Sequence, residues 1–523
     1  MNQYVFDPVK PVVDTKFGKL RGVCYGDVNI FMGIKYADAP RFRMPVEQQP
    51  WEGVKDAYRY GHIAPYLGVP TPPPYYRGLF MHQIPGEDCQ NLNIWAPKNP
   101  TGEKKPVFVW IHGGGFIAGN AMEEYSFDGF NLAHYKDVVF VSINHRLNIL
   151  GYLNLMEYGE EFANTPNLGL ADLVAALKWI HENIASFGGD PENVTICGHS
   201  GGGGKVLALY QMEEAAPYFQ RGICLSGATP EAPATEMEDT RVLAKEILEA
   251  VGITKDNIQD VYTIPYEDLV RGYKQVAKRL WDEGRYVIFE PLKNDYFRGF
   301  PPFEGFAPCS NQKPLIISST MGEFGRLDLD PDKKAAMSEE EREAFVREKY
   351  GDKAERIIDL FRKAYPTHSI IDVCYLDTIF RQPTLAAALE KSKYGSDNTY
   401  VYLCAYDMPE DAWVPMWHGG DVGYAFMNED RVYVANAAEY GQKMSEIFSG
   451  IIESYCKTGN PNNELLPHWD TYSAEHPVTM VIDKECETKM EFDVELVELM
   501  KSCYPPFRLP PMYADEYSTP QLQ

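Results

Sequence analysis

Among 523 residues, a few carry side chains whose types and settings suit acyl transfer, which needs a nucleophile, a base and a site for negative charge. Ser200 is the first. It sits in Gly198-His199-Ser200-Gly201-Gly202, a Gly-x-Ser-x-Gly placed between Val194–Cys197, which suits a short buried strand, and Lys205–Tyr210, which suits a helix. A serine on so tight a strand-to-helix turn takes an unfavourable backbone conformation, and flanking residues without a β-carbon let strand and helix pass close to it. Its hydroxyl would stand at a helix N-terminus, where free N–H groups favour developing negative charge. A chain of this length shows such a five-residue pattern by chance about 0.2 times, so its meaning depends on context.

Two further stretches supply that context. Ile111-His112-Gly113-Gly114-Gly115-Phe116 closes an early strand with three glycines. Alone it is either an ordinary glycine-rich turn or a set of backbone N–H groups free to point at one oxygen; beside the serine turn, the second reading is favoured. Glu323 comes directly off the strand-like Pro314–Ser318, and His418, in Trp417-His418-Gly419-Gly420-Asp421, follows the strand-like run ending near Leu403. Serine, acid, histidine is the chain order of the α/β-hydrolase fold. Asp328 competes for the acid's place, but Glu323 lies nearer the strand end.

The elements that must position these groups follow an α/β rhythm. Val107–Ile111 and Val138–Ile143 are unbroken apolar runs, as expected of strands covered on both faces. A helix is predicted from Leu170 to Phe187, stopped by Gly188-Gly189, and later strands at Arg221–Ser226, Pro314–Ser318 and Thr399–Leu403. Such alternation predicts a mostly parallel central sheet flanked by helices, with ligands at the strands' C-terminal ends, and the serine, acid, histidine order makes it the α/β-hydrolase version of that fold. Helical insertions are expected over 235–310 and 330–395, where Glu339–Glu343 reads as a solvated helix face. The first forty residues read as a small antiparallel meander, and Pro70–Tyr76 as a long loop, either a functional rim or a surface connection. Length alone would suggest about three domains. No linker, repeat or low-complexity run divides the chain, so one domain is expected over 1–510 with a tail at 511–523.

Composition limits the partners. A formal net charge of −26 argues against nucleic acid or an anionic membrane, and 45% hydrophobic residues with 34 tyrosines provide for a large core. The N-terminal residues have neither a basic nor an apolar signal region, and no 18-residue apolar run occurs. Ten cysteines without metal spacing read as buried free thiols, in keeping with a cytoplasmic location. Oligomeric state is not legible.

With these motifs in order, the chain resembles the type B carboxylesterases, the family that includes cholinesterases and bacterial para-nitrobenzyl-type esterases. The resemblance runs through Arg41-Phe-Arg-Met-Pro45, Gly86–Asn93, the His112 loop, Asn144-His-Arg-Leu147 and Phe187–Thr195 into the serine turn. It ends at Lys457–Asn462 with His468-Trp469. It implies Ser200 as nucleophile, His418 as base and Glu323 as the acid that orients it. It also implies Gly114, Gly115 and Gly201 as oxyanion donors, Ser226 as a buried serine supporting the histidine, and Arg41–Glu87 and Arg146–Asp172 as structural ion pairs. The implied activity is hydrolysis of carboxylic esters, of short acyl or aryl type, without metal or organic cofactor; an amidase, thioesterase or lipase could share the scaffold, and a non-catalytic binding module is the remotest alternative. The family usually carries Glu where this chain has His199, which removes a negative charge from the site; His199 either tunes proton transfer or simply packs there. Cys89 lacks the upstream partner that secreted relatives bridge to it. Tyr75, Tyr76, Trp413, Trp417 and Tyr424 are either gorge lining or core.

Overall fold

Stretches rich in Val, Ile, Leu and aromatic residues form the strands of a twelve-stranded sheet in the computed structural model. The described residues run from 4 to 507, apart from 8, 69–80, 82, 99–101, 229–236, 286–287, 396, 410–411, 433–434, 437–439 and 506. In chain order the strands are β1 (Tyr4–Val5), β2 (Val23–Tyr25), β3 (Val28–Lys35), β4 (Asn91–Pro97), β5 (Lys105–Ile111) and β6 (Val139–Ile143). They continue with β7 (Gly189–His199), β8 (Arg221–Leu225), β9 (Leu315–Thr320), β10 (Thr399–Cys404), β11 (Val478–Ile482) and β12 (Glu487–Met490). Their spatial order is β1-β2-β3-β4-β6-β5-β7-β8-β9-β10-β11-β12. From β6 to β11 neighbours run parallel, whereas β1 to β4 and β12 add antiparallel flanks.

Alternation along each central strand feeds two separate cores. Val107, Val109 and Ile111 of β5 enter one apolar cluster, while Phe108 and Trp110 enter another on the opposite face. Both faces are therefore covered, and this is why β5 reads as a continuous apolar run rather than an alternating one. Each such buried side chain contributes about 1.5–3 kcal/mol relative to exposure.

Helix α1 (Leu168–Asn183) continues through a short 3-10 turn to Phe187, so the predicted helix is present but tightens in its last turn. Helix α2 (Gly201–Leu209) starts directly behind Ser200. The acidic run at Glu339 opens a helix whose N-cap, Ser338, forms a reciprocal capping box with Glu341; carboxylates there suit the positive end of the helix. The predicted N-terminal meander is divided. Val12–Asp14 and Lys19–Arg21 join Val54–Asp56 in a small three-stranded sheet, whereas β2 and β3 extend the central one. Gly22, between the two, has no room for a side chain: a Cβ there would lie 2.3 Å from the Ile30 carbonyl oxygen.

Both expected ion pairs form. Arg146 and Asp172 are buried and doubly bonded, Nε to Oδ2 at 2.8 Å and Nη2 to Oδ1 at 2.6 Å, tying the segment after β6 to α1. Arg41 reaches both carboxylate oxygens of Glu87. Pro70–Tyr76 and the 511–523 tail lie outside the described residues. Among those described, no helix is long and apolar enough to cross a membrane.

The turn between β7 and α2 depends on bare glycine. A Cβ on Gly202 would fall 2.1 Å from the Ile111 carbonyl oxygen, whereas one on Gly204 would meet nothing nearer than 3.5 Å. Gly202→Ala is therefore expected to lower stability by about 1–3 kcal/mol or more. Gly204→Ala, within the helix, should be neutral or stabilising by roughly 0.5–1 kcal/mol. Melting temperatures of the two variants check the contrast.

Candidate active site

Ser200 occupies the turn at φ 57° and ψ −127°, a region that side chains rarely adopt, and its N–H is tied to the Leu225 carbonyl at 2.8 Å. The half-buried serine is held there by its neighbours. A Cβ on Gly198 would lie 2.2 Å from the Gly202 oxygen, and one on Gly201 would lie 2.3 Å from the Gly115 Cα. The glycine loop after β5 thus rests against the serine turn.

Glu323 and His418 meet from two other strands. Glu323 follows β9 and His418 lies beyond β10, and their loops are joined by backbone: Gly322 N–H donates to the Met416 oxygen at 2.8 Å and His418 N–H to the Glu323 oxygen at 2.9 Å. Side chains complete the join. His418 Nδ1 is hydrogen-bonded to Glu323 Oε2, while Glu323 Oε1 accepts from the Ser226 hydroxyl at 2.6 Å and the Thr320 N–H at 2.7 Å. Asp328 is exposed and makes no such contact.

Burial sets the charges. It pulls the His418 imidazole down to about 3 and pushes Glu323 up to about 7, the latter against the Ser226 hydroxyl and the Thr320 N–H. An ion pair would move both groups the other way, so the favoured resting form has a neutral imidazole giving Nδ1–H to a carboxylate that three donors surround. That tautomer leaves Nε2 with its lone pair. Among the described residues Nε2 has no hydrogen-bond partner, so the Ser200 hydroxyl does not close onto it in this conformation.

Several groups around the base escaped the sequence reading. The His418 ring packs against two phenyl rings that also touch each other, Phe324, with centroids 4.2 Å apart, and Phe380, at 4.9 Å and nearly parallel. Asp377 fixes Phe380 by accepting the N–H groups of Ile379 at 2.8 Å, Phe380 at 2.9 Å and Arg381 at 2.6 Å. No local pattern announces Phe380. His199 packs 4.4 Å from the His418 ring, buried and held neutral because desolvation and the neighbouring imidazole both oppose its charge. Of the proposed gorge aromatics, Tyr424 is core, its hydroxyl bonded to the Ala435 oxygen at 3.0 Å, and Trp413 is exposed. Trp417 is half-buried beside His418, and Tyr75 and Tyr76 lie outside the described residues.

On the opposite wall, Gly114 (φ 84°) and Gly115 (φ 62°) turn the loop, and their N–H groups make no hydrogen bond among the described residues. Beneath it is Lys205, wholly buried, its amine donating to the His112 oxygen at 3.3 Å and lying 5.5 Å from the Phe116 ring centre. Burial pulls Lys205 down to about 7 and pushes nearby Glu123 up to about 8. The sequence signal was a charged residue where α2 should be apolar. Because the His112 carbonyl begins the glycine loop, the Lys205 amine anchors that loop's starting point.

Fold and site together define an ester-cleaving serine hydrolase of the α/β-hydrolase class. A profile of the Carboxylesterase family matches residues 9–497, and the chain belongs to that family. It is 31% identical to a para-nitrobenzyl esterase of Bacillus subtilis over 91% of this chain and 95% of that protein. It is 29% identical to a phenmedipham hydrolase of Pseudarthrobacter oxydans over 91% and 96%. Among solved structures, an esterase from Clostridium hathewayi described as hydrolysing aliphatic aromatic polyesters superposes with a TM-score of 0.91. It is 37% identical, over 96% of this chain and all of that one.

Any proton bound to the Glu323–His418 pair removes the free Nε2, so kcat/KM should fall through a single acid limb as pH drops. Ser226→Ala deletes a hydrogen bond that holds the Glu323 carboxylate down. It should move that limb upward by about one pH unit, as read from pH–rate profiles. Lys205→Met should lower kcat by about tenfold with little change in KM, since it loosens the loop without touching the substrate; steady-state kinetics separate the two parameters.

Proposed function

We propose that Ser200 attacks the ester carbonyl while His418 Nε2 takes its proton, with Glu323 keeping the ring in the competent tautomer. The tetrahedral oxyanion is held by the N–H groups of Gly114, Gly115 and Gly201, the last of these the first residue of α2, whose N–H has no partner within the helix. His418 then returns the proton to the departing alkoxide, and water releases the acyl enzyme along the same path. The observation that carries this reading is the grip on His418. Its Nδ1 and backbone N–H are both bound to Glu323, its Nε2 is bare, and the glycine loop packs against the neighbouring serine turn. The serine–histidine link is one that tightens when substrate fills the site.

The preferred substrates are neutral esters with a short acyl group or an aryl alcohol. The neutral His199 supports this, since it puts no negative charge beside the base to attract a cationic leaving group. The relatives' descriptions, a para-nitrobenzyl esterase and an esterase hydrolysing aliphatic aromatic polyesters, point the same way. The reading places the activity in one domain over 1–510 and in the cytoplasm, without nucleic acid or membrane as partner. All ten cysteines are free thiols, which supports a reducing compartment, and the net charge of −26 opposes polyanionic partners.

Ser200→Ala should abolish labelling by an organophosphonate while leaving the melting temperature near that of the parent; labelling at another serine would overturn the assignment. A panel of para-nitrophenyl and choline esters, varied separately in acyl and alcohol parts, should give higher kcat/KM for the neutral esters.

A further inference from the structure

Away from the catalytic pair, three stretches of chain bring ligating groups together. His368 lies just before the 3-10 helix Ile370–Tyr375 and Asp372 in its first turn, Asp407 begins the hairpin of Asp407–Met408 and Val414–Pro415, and Asp483 directly follows β11. One nitrogen or oxygen from each of His368, Asp372 and Asp407 lies within 4.8 Å of the others. The His368 side chain is only 4% exposed.

The two ring nitrogens of His368 differ. Nε2 is hydrogen-bonded to Asp483 Oδ2 at 3.1 Å. Nδ1 stands 3.2 Å from Asp407 Oδ1, yet neither atom has a hydrogen-bond partner among the described residues, because the approach is close but misaligned. A carboxylate accepting a hydrogen bond from one ring N–H while the other nitrogen faces a ligand cluster is the arrangement that orients metal-bound histidines. The 3.2 Å separation also fits two ligands held ~2.1 Å from one ion at an angle of roughly 100°.

We propose that His368 Nδ1, Asp372 and Asp407 form a structural site for a divalent first-row metal ion such as Zn2+, with Asp483 orienting the histidine. One imidazole and two carboxylates form a mixed nitrogen and oxygen set, which suits that class better than Ca2+ or Mg2+. Lys334 offsets part of the negative charge near Asp372; its amine donates to the Trp413 oxygen and lies 4.8 Å from the Tyr375 ring centre. The ion would be a strut. Asp407 pairs in register with Pro415, three residues before His418, so the site would pin the hairpin leading to the base onto the 3-10 helix.

The rival occupant is a proton. Burial resists charge on the His368 ring, but Asp407 and Asp483 together push it up to about 10. Calorimetry decides between them, using the full chain stripped with EDTA, desalted and titrated with Zn2+ alone, and Co2+ absorption in the visible gives a second, spectroscopic reading. One equivalent of Zn2+ should bind and raise the melting temperature. His368→Gln and Asp372→Asn should each weaken that binding at least about tenfold and abolish or shift the Co2+ band, and Asp483→Asn should weaken it about 10–100-fold. Asp372→Asn leaves both His368 contacts in place, so it remains informative should the His368 variant fail to fold. Absence of stoichiometric binding, or affinity unchanged in His368→Gln and Asp372→Asn, would overturn the proposal.

Discussion

The double attachment of His418 to Glu323, once through backbone and once through side chains, is the constraint on which the rest of the site depends. Side chains alone could let a buried imidazole turn, and a turned ring would offer the wrong nitrogen. The backbone bond from His418 N–H to the Glu323 oxygen fixes the ring's root, and the carboxylate fixes its tip. Ser226 and Thr320 then hold the carboxylate, so each group is located by one that is better buried than itself.

That arrangement has a conformational cost. Ser200, Ser226 and Glu323 all sit at positive φ, at 57°, 43° and 34°, each just beyond the C-terminal end of a parallel strand. Backbone of this kind costs of order 1–3 kcal/mol per residue and persists only where the surroundings leave no alternative. Here the surroundings are the two cores on either face of the sheet, together with glycines whose missing side chains let three chain segments touch. The covered sheet is thus what allows three strained turns to stand side by side.

Much of this was legible in the residues, and for physical reasons. Strands buried on both faces advertise themselves as apolar runs, so β5, β6, β8, β9 and β10 were anticipated to within a residue or two. The glycines at 114, 198, 201 and 202 were legible because close backbone contact tolerates no side chain there. Strand β4 escaped as a strand because Asn91 and Asn93 interrupt its apolar run; Asn93 serves the sheet by bonding Gly33 N–H and Ser142. Phe380 escaped because its contact with His418 is made by distant parts of the chain. Tyr424 could be read either as gorge wall or as core, because composition cannot say which way a ring faces; it is core. Lys205 broke the local pattern, and its meaning required the His112 carbonyl it meets.

The strand order carries a consequence for how the molecule comes to work at all. Ser226 and Glu323 are 97 residues apart, Glu323 and His418 another 95, and the glycine loop comes from β5, early in the chain. No hairpin or local helix pair contains two members of the site. Each must wait for loop closures over long stretches of chain, the kind of contact that folds slowly. Turnover therefore reports assembly of the central sheet from β5 through β10, and a partly folded chain, however rich in secondary structure, stays silent.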